Sequence, residues 1–304
     1  MKSKSLLICA VLTVLLLAPV AGVCYANGDI VEKIGANGSV DWVKGTIIVK
    51  GVGAPPDNAK NEAQARLMTE RAAKVDAYRN AVEIVNGVRV SAESTVQNFT
   101  VTSDIVKTRI DGFVQGAQQV DIKYMSDGAI EIFLSIPIFG NGALADILLP
   151  AQTEIKTPSL AKTPDVCPTC GQPWPGKAAE ISAPSKAAAA GEVYTGLVID
   201  ARGLEARPAI TPRIVTEDGQ EIYGSSYVSR EFVIKQGMVG YSKDVAKAAQ
   251  TDRVTDKPLV IKAIKISGSK KADFVVSAAD AARLLAMKEN LKFLEQCRVM
   301  VVVD

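Results

Sequence analysis

A chain of 304 residues with 35 Lys+Arg against 33 Asp+Glu can bury one large core or two modest ones. Setting aside Lys2 and Lys4 leaves the remainder near neutral, with no dense basic run interleaved with aromatics. This argues against a nucleic-acid partner, which needs a basic surplus gathered on one face. The absence of histidine excludes Ser-His-Asp and Cys-His dyads, imidazole acid–base catalysis and the commonest metal ligand.

The N-terminus reads as an export signal. Lys2 and Lys4 give a positive start, and Leu6 to Val20 is an apolar run broken only by Thr13 and Pro19. The run is too short and too abruptly ended for an ordinary spanning helix, which needs about 20 apolar residues. Cys24-Tyr25-Ala26 places small residues for cleavage after Ala26, so residues 1–26 are expected to be a signal peptide. Two other readings stay open, a retained anchor and a lipoprotein acylated at Cys24. Val23 fits poorly in the position before a modified cysteine. The expected address is the periplasm or outer-membrane periphery of a Gram-negative-type bacterium.

Residues 40–150 read as a first α+β domain. Gly45 to Gly51 is strand-like, and Gly51-Val52-Gly53-Ala54-Pro55-Pro56 breaks it. Asp57 or Asn58 can cap a long helix running to about Val85, with Gly87 placed to end it. Met68, Ala72, Val75, Tyr78, Val82 and Val85 recur at helical spacing and predict the buried stripe. The polar set Arg71, Asp76, Tyr78 and Arg79 is either a solvated face or an interaction surface, with Asp76 near Arg79 and Asn80. Gly87-Val88-Arg89-Val90 turns into an extended segment, and Val96 to Phe113 is open between helix and strand. Gln118 to Met125 and Ala129 to Ile138 form a hairpin about Ser126-Asp127-Gly128.

Residues 151–191 read as an extended, solvent-exposed linker. Pro158, Pro164, Pro168, Pro173, Pro175 and Pro184 cannot share a helix or ladder, and the tract Ala187 to Ala190 follows. Cys167-Pro168-Thr169-Cys170-Gly171 has the turn of a zinc ribbon, whose amides face thiolates. A complete site would have to recruit Cys297, a carboxylate or a second chain, because there is no second CxxC and no histidine. A thioredoxin-like role would need a strand–helix scaffold. A local disulfide between Cys167 and Cys170 in an oxidising compartment is the favoured reading, with metal binding there the alternative. No cofactor is expected.

Residues 192–304 read as a second α+β domain. Val193 to Asp200 is a strand, and a hairpin surrounds Glu217-Asp218-Gly219. Tyr227 to Lys235 is a candidate strand, and Pro258 to Ser267 alternates as one. Ser277 with Asp280 resembles a capping box opening a helix through Leu284, Met287, Leu291 and Leu294. Val299 to Val303 is a buried strand. Ser229-Arg230-Glu231 and Asp200-Ala201-Arg202-Gly203 are expected to form ion pairs that fix this domain. Asp41-Trp42 with Lys44, Gly51 and Gly53 is a weak ligand-loop candidate against a plain tight turn.

Several of these residues carry a resemblance. Gly51-Val52-Gly53-Ala54-Pro55, Ala63-Gln64-Ala65, Arg71-Ala72-Ala73, Asp76-Ala77-Tyr78-Arg79 and Gly87-Val88-Arg89-Val90, with Gly112 and the hairpin closing at Pro137, resemble the LPP20 domain family of bacterial envelope proteins. The likeness covers about a third of the chain. It implies association with the outer membrane or the flagellar base, and it supplies no catalytic residues. The expected whole is two small helix-on-sheet α+β domains joined by a Pro-rich linker after a signal peptide. The expected role is a non-enzymatic envelope protein acting through contacts with envelope proteins or with itself. The rivals are a thiol or metal activity at Cys167 and Cys170, and a ligand-binding module in the second domain.

Overall fold

The computed structural model describes residues 30–149, 155–158, 192–286 and 288–304. The expected signal peptide with Cys24, most of the expected linker with Cys167 and Cys170, and Met287 lie outside the described residues.

The architecture is α+β. The first half contains, in order, β1 (Val31–Ile34), β2 (Gly38–Asp41), β3 (Thr46–Gly53), α1 (Glu62–Gly87), α2 (Val96–Thr102), α3 (Asp104–Gln115), β4 (Gln118–Tyr124), β5 (Ile130–Pro137) and α4 (Leu144–Leu148). Its strands make one antiparallel five-stranded sheet, ordered β1-β2-β3-β5-β4. The β4–β5 hairpin forms where expected, with Gly128 supplying the left-handed φ of +83° that its turn requires. Period-two alternation buries Ile47 and Val49 of β3 with Ile130, Ile132, Leu134 and Ile136 of β5 on a single face. The ambiguous stretch after Val96 is two helices. Ser103 ends the first and caps the second, its side chain accepting from the Val106 N–H at 3.4 Å.

Helix α1 differs from expectation at its start and on its buried face. Its cap is Asn61, whose side chain accepts from the Gln64 N–H at 2.8 Å, rather than Asp57 or Asn58. The buried row is Thr69, Ala73, Ala77, Ala81, Ile84 and Val85; of the expected stripe, Val85 is buried and Tyr78 and Val82 pack against the core, while Met68 and Val75 are 41% and 49% exposed. Gly51 and Gly53 do not break the strand; β3 runs through both. A Cβ built on Gly51 would lie 2.2 Å from the Ala77 nitrogen, and one on Gly53 would lie 2.2 Å from the Thr69 oxygen. The helix therefore rests on the strand at backbone distance, and only its row of small residues fits there. Periodicity ranks faces by apolarity, but the space available favours the smaller row.

The same approach explains Asp76 and Asn80. β2 pairs with β3 only as far as Val49, which leaves polar groups of Lys50 and Val52 along that edge. Asp76 accepts the Val52 N–H at 2.9 Å and Asn80 donates to the Lys50 carbonyl at 2.9 Å. The helix thus satisfies strand groups that no neighbouring strand reaches.

The second half contains β6 (Gly196–Asp200), β7 (Ile214–Thr216), β8 (Glu221–Tyr223), α5 (Arg230–Gln236), β9 (Gly240–Ser242), α6 (Val245–Ala249), β10 (Pro258–Lys262), β11 (Lys265–Ser267), β12 (Asp273–Val276), α7 (Ala278–Leu285), α8 (Lys288–Glu295) and β13 (Val299–Val302). Two four-stranded sheets result, β10-β6-β13-β9 and β11-β12-β7-β8. The first is wholly parallel. All four residues of β13 and the first four of β6 are buried, as expected of strands covered on both faces.

Three expectations are corrected here. Tyr227 to Lys235 is mostly helix, because α5 begins at Arg230. Pro258 to Ser267 is two strands in different sheets, not one. The helix opened by Ser277 is interrupted, with α7 and α8 replacing a single rod. Its cap is as expected, Ser277 accepting from the Asp280 N–H at 3.0 Å. Within the linker, residues 155–158 lie on the second half: Lys156 N–H donates to the Ser226 carbonyl at 2.9 Å and Pro158 is buried.

The two halves share one hydrophobic core. Trp42, Val88, Val90, Ile138 and Leu144 from the first half belong to the same buried cluster as Ile210, Val233, Met238 and Tyr241 from the second. Main-chain bonds cross the seam from Ile210 N–H to the Arg89 carbonyl at 3.1 Å, and from Thr211 N–H to the Val90 carbonyl at 2.7 Å. Gly140 N–H donates to the Ile234 carbonyl at 2.7 Å elsewhere along it.

Candidate functional site

The richest concentration of polar chemistry lies at this seam. Arg89, carried just past the end of α1, is buried; its guanidinium pairs with Glu32 of β1 and donates to the Pro208 carbonyl at 2.9 Å. Glu32 also accepts from the Trp42 indole at 3.2 Å, and the Trp42 ring meets Tyr241 edge-on at 5.9 Å. The Tyr241 hydroxyl donates to the Ala209 carbonyl at 2.8 Å and accepts the Ala209 N–H at 2.9 Å. Burial raises the Tyr241 phenol above its ordinary range, so it acts as a neutral hydrogen-bonding group. Every member of this chain has a partner, which is the condition for a polar network to stabilise a core.

Next to it, the turn between β11 and β12 presses on the first half. Lys270 N–H donates to the Ala92 carbonyl at 2.8 Å, and Ser269 N–H donates to the Glu93 carboxylate at 3.2 Å. Gly268, at φ +84°, has no room for a side chain, since a Cβ would lie 2.3 Å from that of Ala92. Beside this contact is an open cleft of about 440 Å³ lined by Gly87, Arg89, Thr95, Arg207, Ser269, Lys270 and Lys271. Lys271 pairs with Glu205 outside it. Burial does not isolate the other two cations: Arg207 is exposed and Lys270 is half-buried.

A second surface runs along α1. With the small row turned inward, Leu67, Met68 and Val75 face outward, and Leu67 is 67% exposed. A shallow depression of about 420 Å³ follows Asn61, Ala63, Gln64, Leu67, Met68 and Arg71.

The residues singled out from sequence fall mostly into structural roles. Asp41 accepts the N–H groups of Val43 and Lys44 at 3.1 and 3.0 Å and pairs with Lys44, so this is a tight turn, not a ligand loop. Arg230 does not fix the second domain internally. It pairs with Asp146 of α4 and donates to the Asp146 carbonyl at 2.9 Å, pinning the halves together. The Gly142 N–H, and then Arg230, hold the Asp146 carboxyl below its usual range. Arg202 does stay within its half, forking onto Asp200 with both bonds at 2.8 Å.

Cys297, weighed as a further ligand for the Cys167–Cys170 motif, is fully buried among core residues at φ +57°. Burial pushes its thiol up to about 12, against weaker opposing effects from Tyr223 and Arg253. It is therefore expected to resist alkylation at pH 8, by at least about 100-fold relative to the unfolded chain. Peptide-level labelling with iodoacetamide, with and without guanidinium, reads this directly; equal labelling would show that Cys297 is accessible. Among the described residues no group of three His, Cys, Asp or Glu side chains could hold a metal ion, and no helix is long and apolar enough to cross a membrane.

Sequence reading missed Glu32, Pro208, Tyr241, Arg207 and the Lys270-Lys271 pair as one neighbourhood. They come from segments about 30 to 240 residues apart, and no local spacing announces their meeting. Arg89 alone carried a signal, as part of the Gly87-Val88-Arg89-Val90 motif.

These features define an α+β protein whose polar centre is a seam between two halves. Residues 196–304 match the family model described as Treponema pallidum Tp0624, second domain, so the second half is similar to that domain. No curated protein matches the chain.

Proposed function

We propose that this chain is an exported, non-enzymatic envelope protein that acts through protein–protein contacts, in the manner of LPP20-like proteins at the outer membrane or flagellar base. The observation that carries this reading is the outward apolar row Leu67, Met68 and Val75 on α1. Large apolar side chains grouped on a rigid helix are an interaction surface more often than an accident of solvent exposure. The helix is rigid because its other side is locked onto Gly51 and Gly53. The signal-like N-terminus and the LPP20 resemblance support the envelope address.

The test is deletion of the gene, followed by complementation. Deletion is expected to impair motility or envelope integrity, and the wild-type gene to restore it. Leu67→Glu combined with Met68→Lys alters only exposed side chains, so the protein is expected to fold normally yet fail to restore the defect. Normal motility with an intact envelope after deletion would overturn the proposal. Full rescue by the double variant would remove α1 as its surface.

A further inference from the structure

We infer that the basic cleft at the seam is a binding site for a phosphate monoester carried on a small polar body of about sugar size. Its lining brings together Arg89, Arg207, Lys270 and Lys271 from three separate stretches of chain, and contains no carboxylate. Among the described residues Arg207 and Lys270 form no ion pair, whereas Arg89 and Lys271 are each matched by one glutamate. Glu205 reaches Arg207 only at longer range. Four cations held together with two left unmatched leave a positive field, which an anion from solution would complete.

The chemistry narrows the ligand further. A guanidinium presents a planar fork suited to two phosphate oxygens, and an ammonium adds a compact point charge. A dianionic monoester satisfies both better than a monoanion. The volume of about 440 Å³ exceeds what a bare oxyanion fills and lies within the range of small-ligand sites. No aromatic or large aliphatic side chain lines it, so the body attached to the phosphate is polar, not a nucleobase or an acyl chain. Lys271 is held at φ +54°, its carbonyl fixed by the Arg207 N–H at 2.9 Å, so the two cation-bearing segments are tied to each other. Because Arg89 belongs to the first half and the others to the second, the cleft exists only when the halves are docked, and its ligand would stabilise that docking.

The test is calorimetric titration of the purified full chain with glucose 1-phosphate at low ionic strength. A parallel arm sediments the protein with phosphatidylcholine vesicles containing phosphatidic acid. The expected result is saturable one-to-one binding of glucose 1-phosphate that weakens with added salt. Arg207→Gln with Lys270→Gln should weaken it at least tenfold while leaving the melting temperature unchanged, since neither side chain forms an ion pair among the described residues. Retention by the vesicles alone, lost in the same variant, would assign the phosphate to a lipid headgroup and overturn the sugar-sized polar body. Failure to bind in both arms, or binding undiminished in the variant, would overturn the inference. The assembly proposal is tested in cells on a different face, so either can fail alone.

Discussion

Replacing Gly51 by alanine is expected to lower stability by about 3 kcal/mol, at the upper end of what overpacking a core costs. The added methyl would meet backbone atoms on α1, namely Ala77 N at 2.2 Å and Ala73 O at 2.4 Å. A flexible side chain could swing aside, but a helix backbone can only move as a body. Moving it would also draw Asp76 and Asn80 away from the Val52 N–H and the Lys50 carbonyl. Ala77→Gly should not rescue the variant, because the obstacle is main chain and not the alanine methyl. Gly112, in α3, is the control: a Cβ added there would have nothing within 4 Å, and its φ is not left-handed. Gly112→Ala should stabilise by about 0.5–1 kcal/mol through helix propensity alone. Thermal melting of the three variants decides the matter. A Gly51→Ala protein that melts with the wild type would show that α1 does not sit at backbone distance from β3.

Replacing Arg253 by methionine is expected to cost about 3–5 kcal/mol, because each buried carbonyl left without its donor costs about 1–3 kcal/mol. The guanidinium donates to the Gly237 carbonyl at 3.1 Å, to the Cys297 carbonyl at 2.8 Å and to the Gln236 carbonyl. The Gln236 and Gly237 carbonyls lie at the C-terminal end of α5 and the Cys297 carbonyl in the turn after α8, so one side chain meets the negative end of the α5 dipole and ties it to that turn. No carboxylate among the described residues pairs with it, and burial lowers its pKa from the ordinary arginine value. Methionine would fill similar space but leave three carbonyls without a donor. Lysine keeps the charge without the fork and should recover only part of the loss. Denaturant unfolding measures each. A loss below about 1 kcal/mol for methionine would mean that water replaces the guanidinium freely.

The LPP20-like motif takes on a physical meaning from these contacts. Gly51 and Gly53 provide the approach, Ala73 and Ala77 are the surface that approaches, and Asp76 satisfies the strand edge. The residues that carried the resemblance along this stretch form a packing unit.

What could be read from sequence was what depends on neighbours along the chain. The β4–β5 hairpin followed from Asp127-Gly128, because a turn needing φ above zero selects glycine over a span of a few residues. The α+β class, the Ser277 cap and the closing strand at Val299 followed in the same way. Only the tertiary structure decided which face of α1 is buried. The apolar pattern offered Met68, Ala72 and Val75, and two glycines on the preceding strand, which the helix folds back across, turned the alanine row inward instead. The parallel order of β10-β6-β13-β9 was hidden for the same reason, since each pairing joins segments separated by long crossovers. The seam was the least legible of all. Arg89 meets Glu32 and Pro208, and Lys270 meets Ala92, through contacts that span 57, 119 and 178 positions. Local preference cannot encode such a meeting, because it is fixed by how two complete surfaces fit.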